Sequence, residues 1–248
     1  MENPTHPVRD SAGYHYAEYK HMPYRVLFPL HYDTAKRYPL HIFLHGISER
    51  GWDNEKQLSV GASYFEADSV RAKYPAFIIF PQCPPAYYWF SETVMDTLKG
   101  LIDSFITGNR VDAEQVSIGG FSMGAYGTFA MVAKYPQFFD AAVAISGEGD
   151  ERKASSMTKP GWQIFAGKKD QVVPSSKSKK IAEALEQAGA SVSFVLFENA
   201  DHHQTWVEAF SEPGFFSGIF HPGERSQSHI DEALPDNGED ESAATASQ

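Results

Sequence analysis

The chain of 248 residues holds one cysteine, Cys83, so an intramolecular disulfide is impossible and an oxidising compartment gains no support. It has no apolar run of about 18 residues. No basic segment leads into an apolar one at its start, because Glu2, His6, Arg9 and Asp10 interrupt it. These absences make a cytoplasmic protein the expectation and give a membrane partner no support. Basic residues are also few: 21 Lys and Arg stand against 32 Asp and Glu, a net charge of −11. Nucleic acid needs a basic face that neutralises phosphates, so that partner class is excluded. Seven acids against one base between His221 and Gln248 concentrate −6 of the charge there. Residues 222–248 lack apolar periodicity and read as a disordered acidic tail. Residues 1–221 are then one domain, mildly acidic, suited to a neutral or weakly polar small substrate.

What is present is a series of short apolar runs. Tyr14 to Lys20 and Tyr24 to Pro29 read as a hairpin around Lys20-His21-Met22-Pro23. Leu40 to Leu44, Ala76 to Phe80, Gln115 to Ile118, Ala141 to Ile145, Trp162 to Ala166 and Val192 to Phe197 read as buried strands. Between them lie helical stretches at about 55–73, Val94 to Ile106, Met123 to Lys134 and Ser175 to Gln187, with a terminal helix beginning at Thr205. Strands apolar on both sides, alternating with helices, imply an α/β architecture: a mostly parallel central sheet with helices on both faces. Only Gly147 to Gly161 separate two of the strands, which is too short for an inserted lid domain.

Gly120-Phe121-Ser122-Met123-Gly124 carries the chemistry. At background frequencies near 7%, a Gly-x-Ser-x-Gly pattern arises by accident in roughly one such chain in ten, so position matters more than pattern. Here a strand ends at Gly119-Gly120 and a helix begins at Met123, and a serine in that strained turn has its hydroxyl exposed. A serine nucleophile needs a histidine base held by a carboxylate, and in this fold the order is Ser, Asp or Glu, His. Asp170 follows the strand Trp162 to Ala166, and His202 and His203 follow the last strand. Adjacent side chains in a loop diverge, so one histidine at most can face Ser122. Oxyanion donors are expected from the N–H of Met123 and of Ile47, in the loop Leu44-His45-Gly46-Ile47-Ser48. His45 reads as a brace for that loop rather than a second base.

Together these segments resemble the single-domain bacterial carboxylesterases of the α/β-hydrolase superfamily, in the feruloyl-esterase and polyhydroxybutyrate-depolymerase-like group. The resemblance rests on Phe43 to Asn54, Phe80-Pro81-Gln82-Cys83-Pro84, Gly119 to Ala125, Asp170-Gln171-Val172-Val173-Pro174 and His203-Gln204-Thr205-Trp206. It implies a minimal lid or none, Ser122 as nucleophile, Asp170 as the acid and Ile47 with Met123 as oxyanion donors. It selects His203 over His202, because the pattern sets its histidine three residues before a tryptophan. Two departures are His202, where a small residue is usual, and Ala166-Gly167 in place of His-Gly.

The expected activity is hydrolysis of short-chain or aromatic carboxylic esters through an acyl-enzyme. Such a reaction requires no cofactor, and no metal site is read, since no third ligand accompanies the two histidines at useful spacing. Tyr88 and Trp89, in the run Tyr87-Tyr88-Trp89-Phe90, and Trp206 are candidate substrate contacts. A serine peptidase or amidase on the same residues, or a non-catalytic binding protein of this fold, are the alternative readings.

Overall fold

In the computed structural model, which describes residues 13–221, the apolar runs become eight strands of one sheet. They are β1 (His15–Tyr19), β2 (Met22–Leu27), β3 (Tyr38–Leu44), β4 (Phe77–Pro81), β5 (Val111–Phe121), β6 (Ala141–Ile145), β7 (Gly161–Gly167) and β8 (Val192–Phe197), in the order β1-β2-β4-β3-β5-β6-β7-β8. β1 with β2 and β2 with β4 pair antiparallel; β3 to β8 are parallel throughout. The hairpin turn is tight because Lys20 and His21 both take positive φ, 46° and 64°. The acidic tail expected at 222–248 lies outside the described residues.

Among the described residues seven α-helices cover the sheet: α1 (Ala62–Glu66), α2 (Asp68–Lys73), α3 (Glu92–Gly108), α4 (Met123–Lys134), α5 (Ser175–Gln187), α6 (His202–Ser211) and α7 (Phe215–Phe220). Side chains alternate across a strand, so β3 feeds two cores at once. Leu40, Ile42 and Leu44 join Leu98 of α3, Met131 of α4 and Ile181 of α5. Phe43 joins Phe65 of α1, Phe210 of α6 and Phe215 of α7 on the other face. Each fully buried side chain of this size contributes about 1.5–3 kcal/mol relative to exposure.

The stretch at 55–73 is not one helix. It breaks into a 3₁₀ turn, Lys56–Ser59, followed by α1 and α2. Gly61, between the 3₁₀ turn and α1, has φ +80°, and a Cβ there would lie 2.3 Å from the Phe210 ring. The helix yields to the closeness of α6. The terminal helix is also divided: α6 ends at Ser211, the chain turns through Glu212-Pro213-Gly214, and α7 follows. The segment from β6 to β7 carries only a 3₁₀ turn, Glu151–Ser156, capped by the Asp150 side chain, so no domain is inserted there.

From β3 the chain passes to β4 on one side, then crosses over β3 to β5 on the other. The carboxyl ends of β3 and β5 therefore form a topological switch point, where open α/β sheets place their ligands.

Candidate active site

Ser122 stands at that switch point, between β5 and α4, with φ 54° and ψ −119°. A non-glycine residue in this region stores about 1–3 kcal/mol of strain. Its surroundings hold it there: its N–H donates to Ile145 O at 2.9 Å, and its carbonyl accepts from Ala125 and Tyr126 N–H at 2.9 and 3.2 Å. Gly124 lets the first turn of α4 lie against β3, since a Cβ on it would come within 1.9 Å of Leu44 O.

The histidine that reaches Ser122 is His202. Its Nε2 lies 3.0 Å from Ser122 Oγ and its Nδ1 2.6 Å from Asp170 Oδ2. The Asp170 side chain is fully buried, and its other oxygen accepts the N–H groups of Val172 and Val173 at 2.9 and 2.8 Å. That leaves Oδ2 for the imidazole. With Nδ1–H donating to Asp170, Nε2 is the acceptor for the serine hydroxyl.

The expectation of His203 is therefore corrected. Asp201 is the N-cap of α6: it accepts from Gln204 N–H, and Gln204 Oε1 accepts from Asp201 N–H, a reciprocal capping box. The cap makes His202 the first helical residue and His203 the second, and successive helical side chains diverge by about 100°. His203 is exposed and turns to Trp206, ring centroids 5.1 Å apart. The ring of His202 packs instead on Phe121, at 4.8 Å.

Met123 opens α4, and Ile47 opens the 3₁₀ turn Ile47–Glu49 at the end of β3. First residues of helices have no intrahelical acceptor for their N–H, so neither N–H is taken up within its own helix. The Ile47 loop is braced from beneath. His45 is fully buried; its Nε2 accepts from Cys83 N–H at 3.0 Å, so its Nδ1–H donates to Gly46 O at 2.6 Å. Burial lowers the His45 pKa to about 4, which keeps it neutral. It is the brace expected, not a base. Burial likewise pushes the Cys83 thiol up to about 12.

Gln82, also fully buried, accepts from Asn54 N–H at 2.7 Å and donates to Glu49 O and Asp53 Oδ1 at 3.0 and 3.2 Å. Arg50 donates to Ile47 O and Tyr87 O at 3.1 and 3.2 Å and lies 5.2 Å over Tyr88. The Gln82 contacts were not anticipated. A glutamine directly after an apolar strand end was their only signal.

Two of the three expected aromatic contacts belong elsewhere. Trp89 is fully buried; its Nε1–H donates to His45 O at 3.0 Å and its ring meets His45 edge-on at 5.0 Å. Trp206 packs against Tyr64 and Phe210, on the core between α1 and α6. Tyr88 is exposed and stacks on Phe90, centroids 5.1 Å apart.

An eight-stranded sheet with a strained serine between β5 and α4, and a histidine and a buried aspartate from later loops, defines the α/β-hydrolase fold. Residues 87–209, which include Ser122, Asp170 and His202, match the model of the dienelactone hydrolase family. A thermostable esterase of known structure is 28% identical, with a TM-score of 0.76, over 80% of this chain and 58% of its own. This chain thus spans less than two thirds of that protein. A ferulic acid esterase is 18% identical with a TM-score of 0.64, over 80% of this chain and 93% of its own. The acylaminoacyl peptidase of Pyrococcus horikoshii is 13% identical with a TM-score of 0.63, over 89% of this chain and 43% of its own. The last two likenesses are of fold alone. No curated protein matches the chain. Among the described residues no helix is long and apolar enough to cross a membrane, and no cluster of His, Cys, Asp or Glu could hold a metal ion.

Proposed function

We propose that the chain is a serine carboxylesterase acting on short-chain or aromatic carboxylic esters. The observation that carries the reading is the unbroken hydrogen-bonded line Ser122–His202–Asp170, at 3.0 and 2.6 Å, on a strained turn. The match to the dienelactone hydrolase family and the likeness to a thermostable esterase support it.

In this scheme Ser122 Oγ attacks the ester carbonyl carbon while His202 Nε2 takes the hydroxyl proton. The N–H groups of Ile47 and Met123 stabilise the oxyanion. As the intermediate collapses, the carbon–oxygen bond to the alcohol breaks and His202 gives its proton to the leaving oxygen. Water then attacks the acyl-enzyme, His202 taking its proton and returning it to Ser122 Oγ as the carboxylic acid leaves. Asp170 holds the ring and offsets its charge while it is protonated. The same residues could cleave an amide, so the test pairs the two bonds. Purified protein is assayed on a short-chain acyl ester and its matched anilide, and treated with a fluorophosphonate. Ester turnover well above anilide turnover, with covalent labelling lost in Ser122→Ala, is expected; no ester turnover together with no labelling would end the proposal.

A further inference from the structure

A cavity of about 180 Å³ runs beside α4, walled by Phe90, Tyr126, Phe129, Ala130, Ala133 and Met157. Positions 126, 129, 130 and 133 form one helical face, and Ser122 is the N-cap of α4. Tyr126 donates its N–H to Ser122 O, so the wall begins one helical turn along the chain from the residue that carries the nucleophile. The mouth is pinned: Glu148 Oε2 accepts from the Tyr126 hydroxyl at 3.3 Å and from Lys177 Nζ at 2.7 Å. Glu148, Asp150 and Lys153 of the segment between β6 and β7, which also supplies Met157, join the lining.

Resting on the esterase reading, we infer that this groove receives a neutral aryl group of the ester substrate. Volume sets the first limit, because a cavity of about 150 Å³ admits a benzene ring; the space holds one substituted ring. The lining sets the second. Phe90 and Tyr126 stand 6.4 Å apart and tilted by 47°, offering the face and edge contacts that aromatic rings prefer. Of the charged lining residues, Glu148 and Asp150 are engaged by Lys177 and Arg152, and a neutral ring gives up little hydration against the alanines and Met157.

Ala130 and Ala133 are only half-buried, so larger side chains there fill the groove without entering the core. Wild type, Ala130→Phe and Ala133→Leu are compared on ethyl acetate, methyl 3-phenylpropanoate and benzyl acetate. The expected result is a fall of at least tenfold in kcat/KM for one aryl ester relative to ethyl acetate. Which aryl ester falls tells whether the acyl or the alcohol side enters the groove. Equal losses on all three esters in folded variants, or no loss on either aryl ester, would overturn the inference. A second readout needs no turnover: methyl 3-phenylpropanoate is titrated calorimetrically into Ser122→Ala and into Ser122→Ala/Ala130→Phe. Weaker binding by the second supports the groove, and equal binding removes it. This holds even if wild type hydrolyses no ester, an outcome that would strike the esterase reading alone.

Discussion

The aim of the His202 imidazole depends on a carboxylate that never touches it. Asp201 caps α6, and that cap decides which of two adjacent histidines faces back to the sheet edge and which faces Trp206. If the Ser122–His202–Asp170 line is the catalytic one, His202→Ala should lower kcat by roughly 10³-fold or more, as expected when a base in such a triad is removed. His203→Ala should stay within a few-fold, because its exposed ring touches only Trp206 among nearby aromatics. Steady-state rates on one short ester decide between them; the reverse ranking would return the role to His203. The limits of sequence reading show at this scale. Ser122 and Asp170 were legible because each follows an apolar strand whose end is plain. The choice between His202 and His203 was not, because it turns on helical phase, and one residue of phase is set by Asp201 and Gln204 rather than by hydrophobic pattern.

The elements were legible where burial alone shapes them. β6, β8, α4 and α5 occur at the limits that apolar runs and proline or glycine stops indicate. They were illegible where a distant side chain intervenes, as at Gly61, where the Phe210 ring divides one helical stretch. The loop after β3 is of the second kind. Its shape depends on Gln82 and Cys83 at the end of β4, which reach across to Asn54, Glu49 and His45. Gln82→Leu keeps the volume but strands the Asn54 N–H, a loss of about 1–3 kcal/mol for a buried polar group. The loop that presents Ile47 N–H would loosen with it, so kcat should fall more than KM rises, alongside a lower Tm. A stability loss with unchanged kcat would show that the brace serves the fold and not the oxyanion donor. Gly124→Ala is the harsher test of the turn. Its Cβ would meet Leu44 O at 1.9 Å, so β3 and α4 must separate, and folded yield and fluorophosphonate labelling should drop together.

At the scale of the whole molecule, two buried histidines make stability depend on pH. His41 lies among Phe65 and Phe220, with Nδ1 2.9 Å from Ser117 Oγ and no partner for Nε2 among the described residues. Burial lowers its pKa from 6.5 to about 3, as burial lowers that of His45 to about 4. In the native state both stay neutral as pH falls, while in the unfolded chain both take up a proton below about 6.5. The unfolded state then binds more protons, so stability present at pH 7 and above is lost as pH drops from about 6.5 toward 4 for His45 and 3 for His41. Each histidine costs the native state about 1.4 kcal/mol per pH unit in that window. Two pH units would remove about 5 kcal/mol through the pair, the whole of a marginal domain's stability. Chemical denaturation at pH 7, 6 and 5 should therefore give a steep fall, and His41→Leu should roughly halve the slope between pH 6 and 5. A wild-type midpoint that is flat over this range would mean that the two rings are not held neutral by burial.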